Sequence, residues 1–450
     1  MHADLRCFKA YDIRGQVPQE LDTDLAYQIG LAFARLRQSK KVVVGYDIRL
    51  ESPALADALS QGLQDGGTDV YQLGLCGTEE VYFATFNGGF DGGIMVTASH
   101  NPKGYNGMKL VGIESQPISG DTGLNDIADA VRQLQPLPDV APGQRYDYAD
   151  KTAYLNHLLS YISPQTIRPY KVVFNVGNGS AGAMIADLVK HLPITPIYLH
   201  AEPNGEFPNG VPNPLLHENR QQTADAVLAH QADFAVAWDG DFDRCFLFDE
   251  KGQFIEGYYL VGLLAQTLLK QHPGAKIIHD PRLSWNTIEQ VRQAGGQPIQ
   301  SKTGHAFIKQ RMRQEDAVYG GEMSSHHYFK AFAYCDSGMI PWLLIMQLMS
   351  ETALPLSALV EQRQQAYPCS GELNYKVNDV AAILDKIARF YADQQPKIDL
   401  TDGLSLEFDN WRFNIRASNT EPLLRLNIES RGCPELVAEK HAEIQRLISE

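Results

Sequence analysis

The chain opens the same way three times. Lys41-Val-Val-Val, Lys171-Val-Val-Phe and Lys276-Ile-Ile-His each start a short apolar run, followed by a turn and then by a stretch with helical apolar spacing. Such runs read as strands buried on both faces, and strands alternating with helices build a largely parallel sheet with helices packed against it. Asp47-Ile48-Arg49-Leu50 and Asp280-Pro281-Arg282-Leu283, which follow the first and third openings, echo each other as well. The pattern predicts one α/β unit in triplicate.

Helices are predicted over 22–38, 52–65, 152–162, 182–192, 258–271, 285–294 and 306–313, and strands over 41–46, 93–98, 171–176, 233–238, 275–279 and 317–320. Residues 135–150, rich in Pro, Asp and Gly and without period, read as a linker. After Pro368 the pattern changes to strands over 371–377, 404–408, 411–415 and 423–430, with helices over 379–392 and 434–449. That is a small α+β domain with an antiparallel sheet. With 450 residues the chain is too long for a single core. The expected division is 1–148, 149–255, 256–368 and 369–450.

A net charge of −15 argues against nonspecific binding to nucleic acid or to an anionic membrane, so an anionic ligand would have to meet a local positive field. The six cysteines are scattered without a C-x-x-C pair, the N-terminal stretch lacks an apolar signal core, and no apolar run reaches membrane-spanning length. The expectation is a soluble protein of the cytoplasm.

Four polar stretches carry the chemistry. In Asp91–Lys109, an apolar strand runs into Thr97-Ala-Ser-His-Asn-Pro102, where Ser99 is surrounded by His100, Asn101 and Lys109. A hydroxyl among cationic and amide groups suits a covalent phosphate carrier, although Ser99 could equally cap a turn. In Trp238–Arg244, Asp239, Asp241 and Asp243 alternate directly after a strand. Their hard oxygens suit Mg²⁺ or Ca²⁺, the alternative being a solvated acidic turn. An EF-hand is excluded because Arg244 stands where that loop needs glycine and an apolar strand follows. In Gly320–His327, Glu322, Ser324 and His326 alternate; a carboxylate with a hydroxyl is a usual grip for sugar hydroxyls. In Arg416–Pro422, Arg416, Ser418, Asn419 and Thr420 offer a phosphate cradle or, more plainly, a hairpin turn. Gly177-Asn-Gly-Ser-Ala-Gly182 matches a dinucleotide-binding turn, but the next strand ends in His200 rather than an acid.

In this order, T-A-S-H-N-P, D-G-D-F-D-R, G-E-M-S and R-x-S-N-T-E-P resemble the α-D-phosphohexomutase superfamily along the whole chain, nearest its bacterial phosphomannomutase branch. The resemblance implies three mixed α/β domains and a C-terminal domain of the TATA-binding-protein type around one cleft. It implies a phosphorylated Ser99, Mg²⁺ on Asp239, Asp241, Asp243 and the phosphoserine, and a hexose 1,6-bisphosphate that turns over in the site and serves as activator. By the same motif matching, Tyr11, Arg14, His100, Lys109, Arg244 and His305 belong near the reacting phosphate. Glu322, Ser324 and His326 belong with the sugar, and Arg416, Ser418, Asn419 and Thr420 with the distal phosphate. The implied partners are small hexose phosphates, with no nucleic acid and no membrane. Two departures stand out: Thr78-Glu79-Glu80 where many members have Thr-Pro, and Arg282, counted here with the substrate contacts, where many have Lys. The other function classes open to such residues are glucose or dual specificity, a non-catalytic sugar-phosphate binder and a nicotinamide-dependent dehydrogenase.

Overall fold

The computed structural model describes residues 5–133, 139–417 and 423–449. The chain divides into two compact units, one running to Phe254 and taking in Phe329–Ala353, the other holding Ile255–Tyr328 and the residues from Leu354 onward.

The first unit contains two sheets. In one, Ile13–Gln16, Tyr105–Gly112, Gly92–Val96, Lys41–Tyr46, Asp69–Leu75 and Arg145–Asp147 lie side by side in that order. The last four run parallel, while Tyr105–Gly112 runs antiparallel to both of its neighbours. Successive strand side chains point to opposite faces, and here both faces are covered. Val42, Val44 and Ile94 pack with Phe33, Leu59 and Ile127 from helices Thr23–Arg37, Ser52–Asp65 and Leu124–Arg132. Val43 and Met95 pack with Val81 and Ala84 from helix Thr78–Asn87 on the other side. Asp22 starts the first of these helices by accepting the Leu25 N–H at 2.8 Å, an N-cap of the usual kind.

The second sheet has the order Ile194–Leu199, Tyr170–Asn175, Phe234–Trp238, Cys245–Phe248 and Phe254–Ile255. The first three strands are parallel and Cys245–Phe248 turns back antiparallel. Helix Ile340–Thr352, from far along the chain, completes this unit. Trp342 meets the Phe174 ring edge-on at 5.4 Å, and the Trp238 indole N–H donates to the Gly338 carbonyl at 2.8 Å.

A third sheet, ordered Gln297–Gln300, Lys276–His279, Tyr319–Gly321, His327–Phe329 and Cys335–Asp336, repeats the strand order of the second. The triplication read from the three lysine-led openings is therefore a real identity of topology. In each copy a parallel strand ends, a polar loop follows, and the chain returns on the neighbouring strand. The loops are 97–104, 239–244 and 322–326, three of the four polar stretches. Ends of parallel strands are where open α/β sheets bind ligands. The last sheet is antiparallel, ordered Leu373–Lys376, Leu423–Ser430, Trp411–Ala417, Leu404–Glu407 and Lys397–Asp399. Phe413, Ile415, Leu424 and Leu426 bury one face against Ile387 and Ile444 from helices Val380–Tyr391 and Pro434–Ser449. Alternation then puts Arg412, Asn414 and Arg416 on the opposite face, and they too are buried.

Three expectations need correcting. Part of the proposed linker is structured: Arg145–Asp147 pairs with Val70–Gln72 as an edge strand of the first sheet, which the low apolar content of a solvent-facing edge conceals. The strand before Ser99 ends at Val96, so Ala98 already belongs to the loop. Lys109, grouped in the sequence with the polar loop around Ser99, lies instead in strand Tyr105–Gly112.

Candidate active site

Ser99 sits just beyond the end of the strand Gly92–Val96, buried, with a left-handed backbone (φ +47°) that a side chain rarely adopts. Its Oγ donates to Asp239 Oδ2 at 2.7 Å and lies 3.0 Å from His100 Nδ1. The equivalent loop of the second sheet supplies the aspartates. Gly240 between them passes so close to Ser99 that an added Cβ would lie 2.7 Å from the Ser99 carbonyl oxygen, so the alternating carboxylates need glycine there. The glycine-rich turn Gly177–Gly182 backs this loop, with the Ser180 N–H donating to the Gly240 carbonyl at 3.2 Å. An added Cβ at Gly179 would lie 2.9 Å from that same carbonyl oxygen, so this close backing explains a glycine of the turn without a dinucleotide.

Carboxylates and cations interleave. The Arg244 guanidinium donates to Asp239 Oδ2 through Nε at 2.8 Å and also to His100 Nδ1. The Lys109 ammonium bridges Asp241 Oδ2 at 2.7 Å and Asp243 Oδ2 at 2.5 Å. Arg14, on the edge strand, donates to the Ala98 carbonyl at 2.8 Å, to Asn101 Oδ1 at 2.7 Å and to Asp12. Burial works against the charge on Lys109, but Asp241 and Asp243 raise its pKa above the ordinary lysine range, so it is a fixed cation. His100 goes the other way. Lost hydration together with the charges of Arg244 and Arg14 holds its imidazole well below its usual pKa, so it is neutral at neutral pH. Tyr11, half-buried, lies in the turn before strand Ile13–Gln16.

The aspartates fit a divalent metal. One oxygen from each of Asp239, Asp241 and Asp243 lies within 4.8 Å of the others, and all three side chains are buried. Asp241 Oδ2 accepts from Lys109 and Thr78 and lies 3.2 Å from the Thr97 hydroxyl, whose proton goes to Asp47, whereas the buried Oδ1 accepts no hydrogen bond among the described residues. A buried, unpartnered carboxylate oxygen is costly, and a hard cation is the group that would satisfy it.

In the second unit, Glu322, Ser324 and His326 converge as their alternation predicts. Arg282 reaches Glu322 Oε1 at 3.4 Å and Ser324 Oγ at 3.3 Å, and His326 Nδ1 lies 3.4 Å from Glu322 Oε2. Burial opposes ionisation of Glu322, but His326, Arg282 and the Tyr328 hydroxyl hold it well below the usual carboxylate range. Asp280 grips Arg282 with both oxygens, at 3.1 and 2.9 Å, so the guanidinium is locked and stays charged. His305 opens helix His305–Glu315 beside Gly304, whose N–H donates to Glu322 Oε1 at 3.0 Å. Arg416 is buried at the end of its strand and lies 3.4 Å from Glu372 Oε2. The neighbouring calls for Ser418, Asn419 and Thr420 lie outside the described residues.

Sequence reasoning passed over several contributors. Thr78 stands in the sequence only as the start of a departure, yet its hydroxyl donates to Asp241 Oδ2 at 2.6 Å from the first turn of its helix. Glu372 went unremarked, although it lies 3.6 Å from Arg282 and 3.4 Å from both Arg416 and Arg425. The spacing of these residues along the chain gives no sign of either contact; a threonine opening a helix and a glutamate before a strand are both commonplace.

The chain matches the domain models of one family in series: the phosphoglucomutase/phosphomannomutase alpha/beta/alpha domain I over residues 5–136, domain II over 152–252, domain III over 256–367 and the C-terminal domain over 372–446. It is 57% identical over 444 residues to "Phosphohexose mutases" of Xanthomonas campestris pv. campestris (strain B100), covering 99% of each chain. It is 55% identical over 453 residues to "Phosphomannomutase" of Escherichia coli, again covering 99% of each. Among solved structures, a phosphoglucomutase/phosphomannomutase family protein from Burkholderia thailandensis superposes with a TM-score of 0.87 at 32% identity, over 98% of this chain and 96% of that one. The chain belongs to the phosphoglucomutase/phosphomannomutase family and is a phosphohexose mutase, an enzyme of the isomerase class. Among the described residues no single helix is long and apolar enough to cross a membrane.

Proposed function

We propose that the enzyme interconverts mannose 6-phosphate and mannose 1-phosphate, with Ser99 as the phosphoryl carrier and a hexose 1,6-bisphosphate as intermediate and activator, in the cytoplasm, as a supply for GDP-mannose and polysaccharide synthesis. The observation that carries this reading is the Ser99 hydroxyl buried against Asp239, with fixed cations on either side of the aspartate loop. The name borne by the Escherichia coli relative supports mannose as the sugar. The broader name of the Xanthomonas relative, "Phosphohexose mutases", supports a substrate range wider than one hexose phosphate.

Phosphoryl transfer asks the protein for position and charge neutralisation more than for covalent chemistry. Ser99 Oγ carries the phosphoryl group and gives it to a sugar hydroxyl; the bisphosphate so formed then returns its other phosphate to Ser99. Lys109, Arg244 and Arg14 offset the dianion. Mg²⁺, held by Asp239, Asp241, Asp243 and a phosphate oxygen, would supply Lewis-acid stabilisation of the transferring group. Glu322, Ser324 and His326 take sugar hydroxyls with Arg282 fixed among them. His305 and Tyr11 belong beside the phosphates. The boundaries 1–148, 149–255, 256–368 and 369–450 divide these tasks by domain.

A coupled assay with mannose 1-phosphate and glucose 1-phosphate tests the substrate. Comparable kcat/KM would establish dual specificity, and turnover of neither would end the proposal. Progress curves of dephosphorylated enzyme should show a lag that traces of glucose 1,6-bisphosphate abolish. Immediate full turnover without it contradicts the cycle.

Arg416 is expected to anchor whichever phosphate is not reacting. A charge-assisted guanidinium–phosphate pair contributes about 1.5–3 kcal/mol. Arg416→Ala should therefore lower kcat/KM for 1-phosphate and 6-phosphate substrates alike by roughly ten- to a hundredfold. Loss for one isomer alone would refute a single anchor serving both orientations.

A further inference from the structure

The repeated tetrapeptide at Asp47–Leu50 grips the serine loop through the side chains of Arg49 and Asp47. Arg49 is fully inside the first unit, and its guanidinium is spent on the backbone of the serine loop. One terminal nitrogen donates to the carbonyls of Ser99 at 2.8 Å and Asn101 at 2.6 Å; the other donates to those of Pro102 and Tyr105, each at 3.0 Å. Its Nε lies 3.5 Å from Asp47 Oδ2, and the Phe207 ring lies 5.3 Å beneath the guanidinium.

Asp47 holds the same loop from its other side. Its Oδ1 accepts the Arg49 N–H at 3.0 Å and the Ser52 hydroxyl at 2.6 Å, while Oδ2 accepts the Thr97 hydroxyl at 2.7 Å. The Thr97 oxygen in turn accepts the Ser99 N–H at 2.9 Å. The Ser99 residue is thus fastened at its N–H through Thr97 and at its C=O by Arg49. This is also the residue with φ +47°, a conformation that persists in a non-glycine only where the surroundings over-determine it. Arg14 reaches the Ala98 carbonyl and the Asn101 side chain, which leaves the Ser99 carbonyl to Arg49. In the third repeat the echoed Arg282 takes carboxylates and a hydroxyl instead of carbonyls, so the same tetrapeptide serves two different loops.

We infer that Arg49 is a positioning residue for phosphoryl transfer: by clamping four carbonyls it keeps Ser99 in its left-handed turn, with Oγ directed at Asp239, and it never touches the transferring group. The inference rests on Ser99 as the phosphoryl carrier. Only a planar fork with several fixed N–H groups can span four acceptors, so lysine is a poor substitute. Misplacing a reacting atom by about 1 Å costs on the order of a hundredfold in rate.

The test uses the full chain carrying Arg49→Lys or Arg49→Met, with mannose 1-phosphate as substrate and saturating glucose 1,6-bisphosphate, active sites being counted as phosphorylated Ser99 by intact mass. The expected result for Arg49→Lys is a fall in kcat per phosphorylated site of roughly ten- to a hundredfold, with KM within about threefold of the unmodified enzyme. Single-turnover transfer from phosphorylated enzyme should slow by the same factor, and the ³¹P resonance of the phosphoserine should move. A purely structural role would lower yield and Tm while leaving kcat per site and the ³¹P resonance unchanged, and that result overturns the inference. So does collapse of both variants, which would make Arg49 a folding residue. Ser99→Ala run in parallel separates the two claims. If that variant is active, the carrier reading itself fails; if it is inactive while Arg49→Lys and Arg49→Met turn over normally, only the positioning role does.

Discussion

Ser99→Ala is expected to lower turnover by several orders of magnitude, the scale seen when a nucleophile is removed, while the fold survives. The substitution takes away one hydroxyl that donates to Asp239, and Arg244 keeps two contacts with that carboxylate, so no buried charge is stranded. Peptide mass analysis of active enzyme should find one phosphate, on Ser99, and none in the variant. The neighbouring hydroxyls do not stand in for it. Thr97 Oγ1 is committed to Asp47 and to the Ser99 amide, and Thr78 donates to Asp241. Near-normal turnover by Ser99→Ala would leave the covalent cycle without a carrier.

Exhaustive chelation should have an effect of similar size. Three buried aspartates face two cations that contact them directly, Lys109 and Arg244. Phosphorylation of Ser99 brings about −1.5 to −2 further charges to the same spot. Without another cation the site would hold an uncompensated excess of negative charge in low dielectric, which is far more costly than any surface repulsion. Treatment with EDTA is therefore expected to stop turnover, and added Mg²⁺ to restore it. Full activity after chelation, verified by elemental analysis, would remove the metal from the scheme and leave the open oxygen of Asp241 unexplained.

What the chain discloses on reading depends on how its residues are packed. Strands buried on both faces are conspicuous: Val42–Val44 and Val172–Phe174 are uninterrupted apolar runs, and each proved to be an interior strand of its sheet. Helix Thr78–Asn87 escaped because it is buried nearly all round, Glu79 and Glu80 included, so it has no polar face to set a period. Helix Ile340–Thr352 escaped for the same reason. The aspartate triad and the Glu322–His326 loop were legible from their two-residue alternation, although a tight turn gathers the side chains in each, with the Phe242 N–H donating to the Asp239 carbonyl at 3.2 Å and the Ser325 N–H to the Glu322 carbonyl at 3.0 Å. Thr78, Glu372 and the carbonyl clamp of Arg49 were not. Each acts through contacts whose partners lie far off in the chain, as Thr78 and Asp241 do across 163 positions. Glu79 shows how a departure from a motif can be absorbed. In place of the proline that the motif resemblance leads one to expect, this glutamate accepts the backbone N–H groups of Gly338 at 2.5 Å and Met339 at 3.3 Å, and burial raises its pKa to about 8.

Those last contacts belong to a segment that changes ownership. Gly338 and helix Ile340–Thr352 fall within the sequence of the third repeat, yet they complete the first compact unit, where Trp342 covers Phe174 and Glu79 holds the start of the helix. The three repeats are therefore not beads that could be shuffled or inherited singly. A chain halted after the second repeat would be born with an uncovered aromatic floor and a buried glutamate lacking its backbone donors. Its Ser99 and aspartate loops would be synthesised early on the ribosome, but the Trp342 cover over Phe174 would arrive only after roughly a hundred further residues, at synthesis rates of ≈ 5–20 residues/s. The order of manufacture thus completes the unit that carries Ser99 only after the Glu322–His326 loop of the third repeat has itself been made.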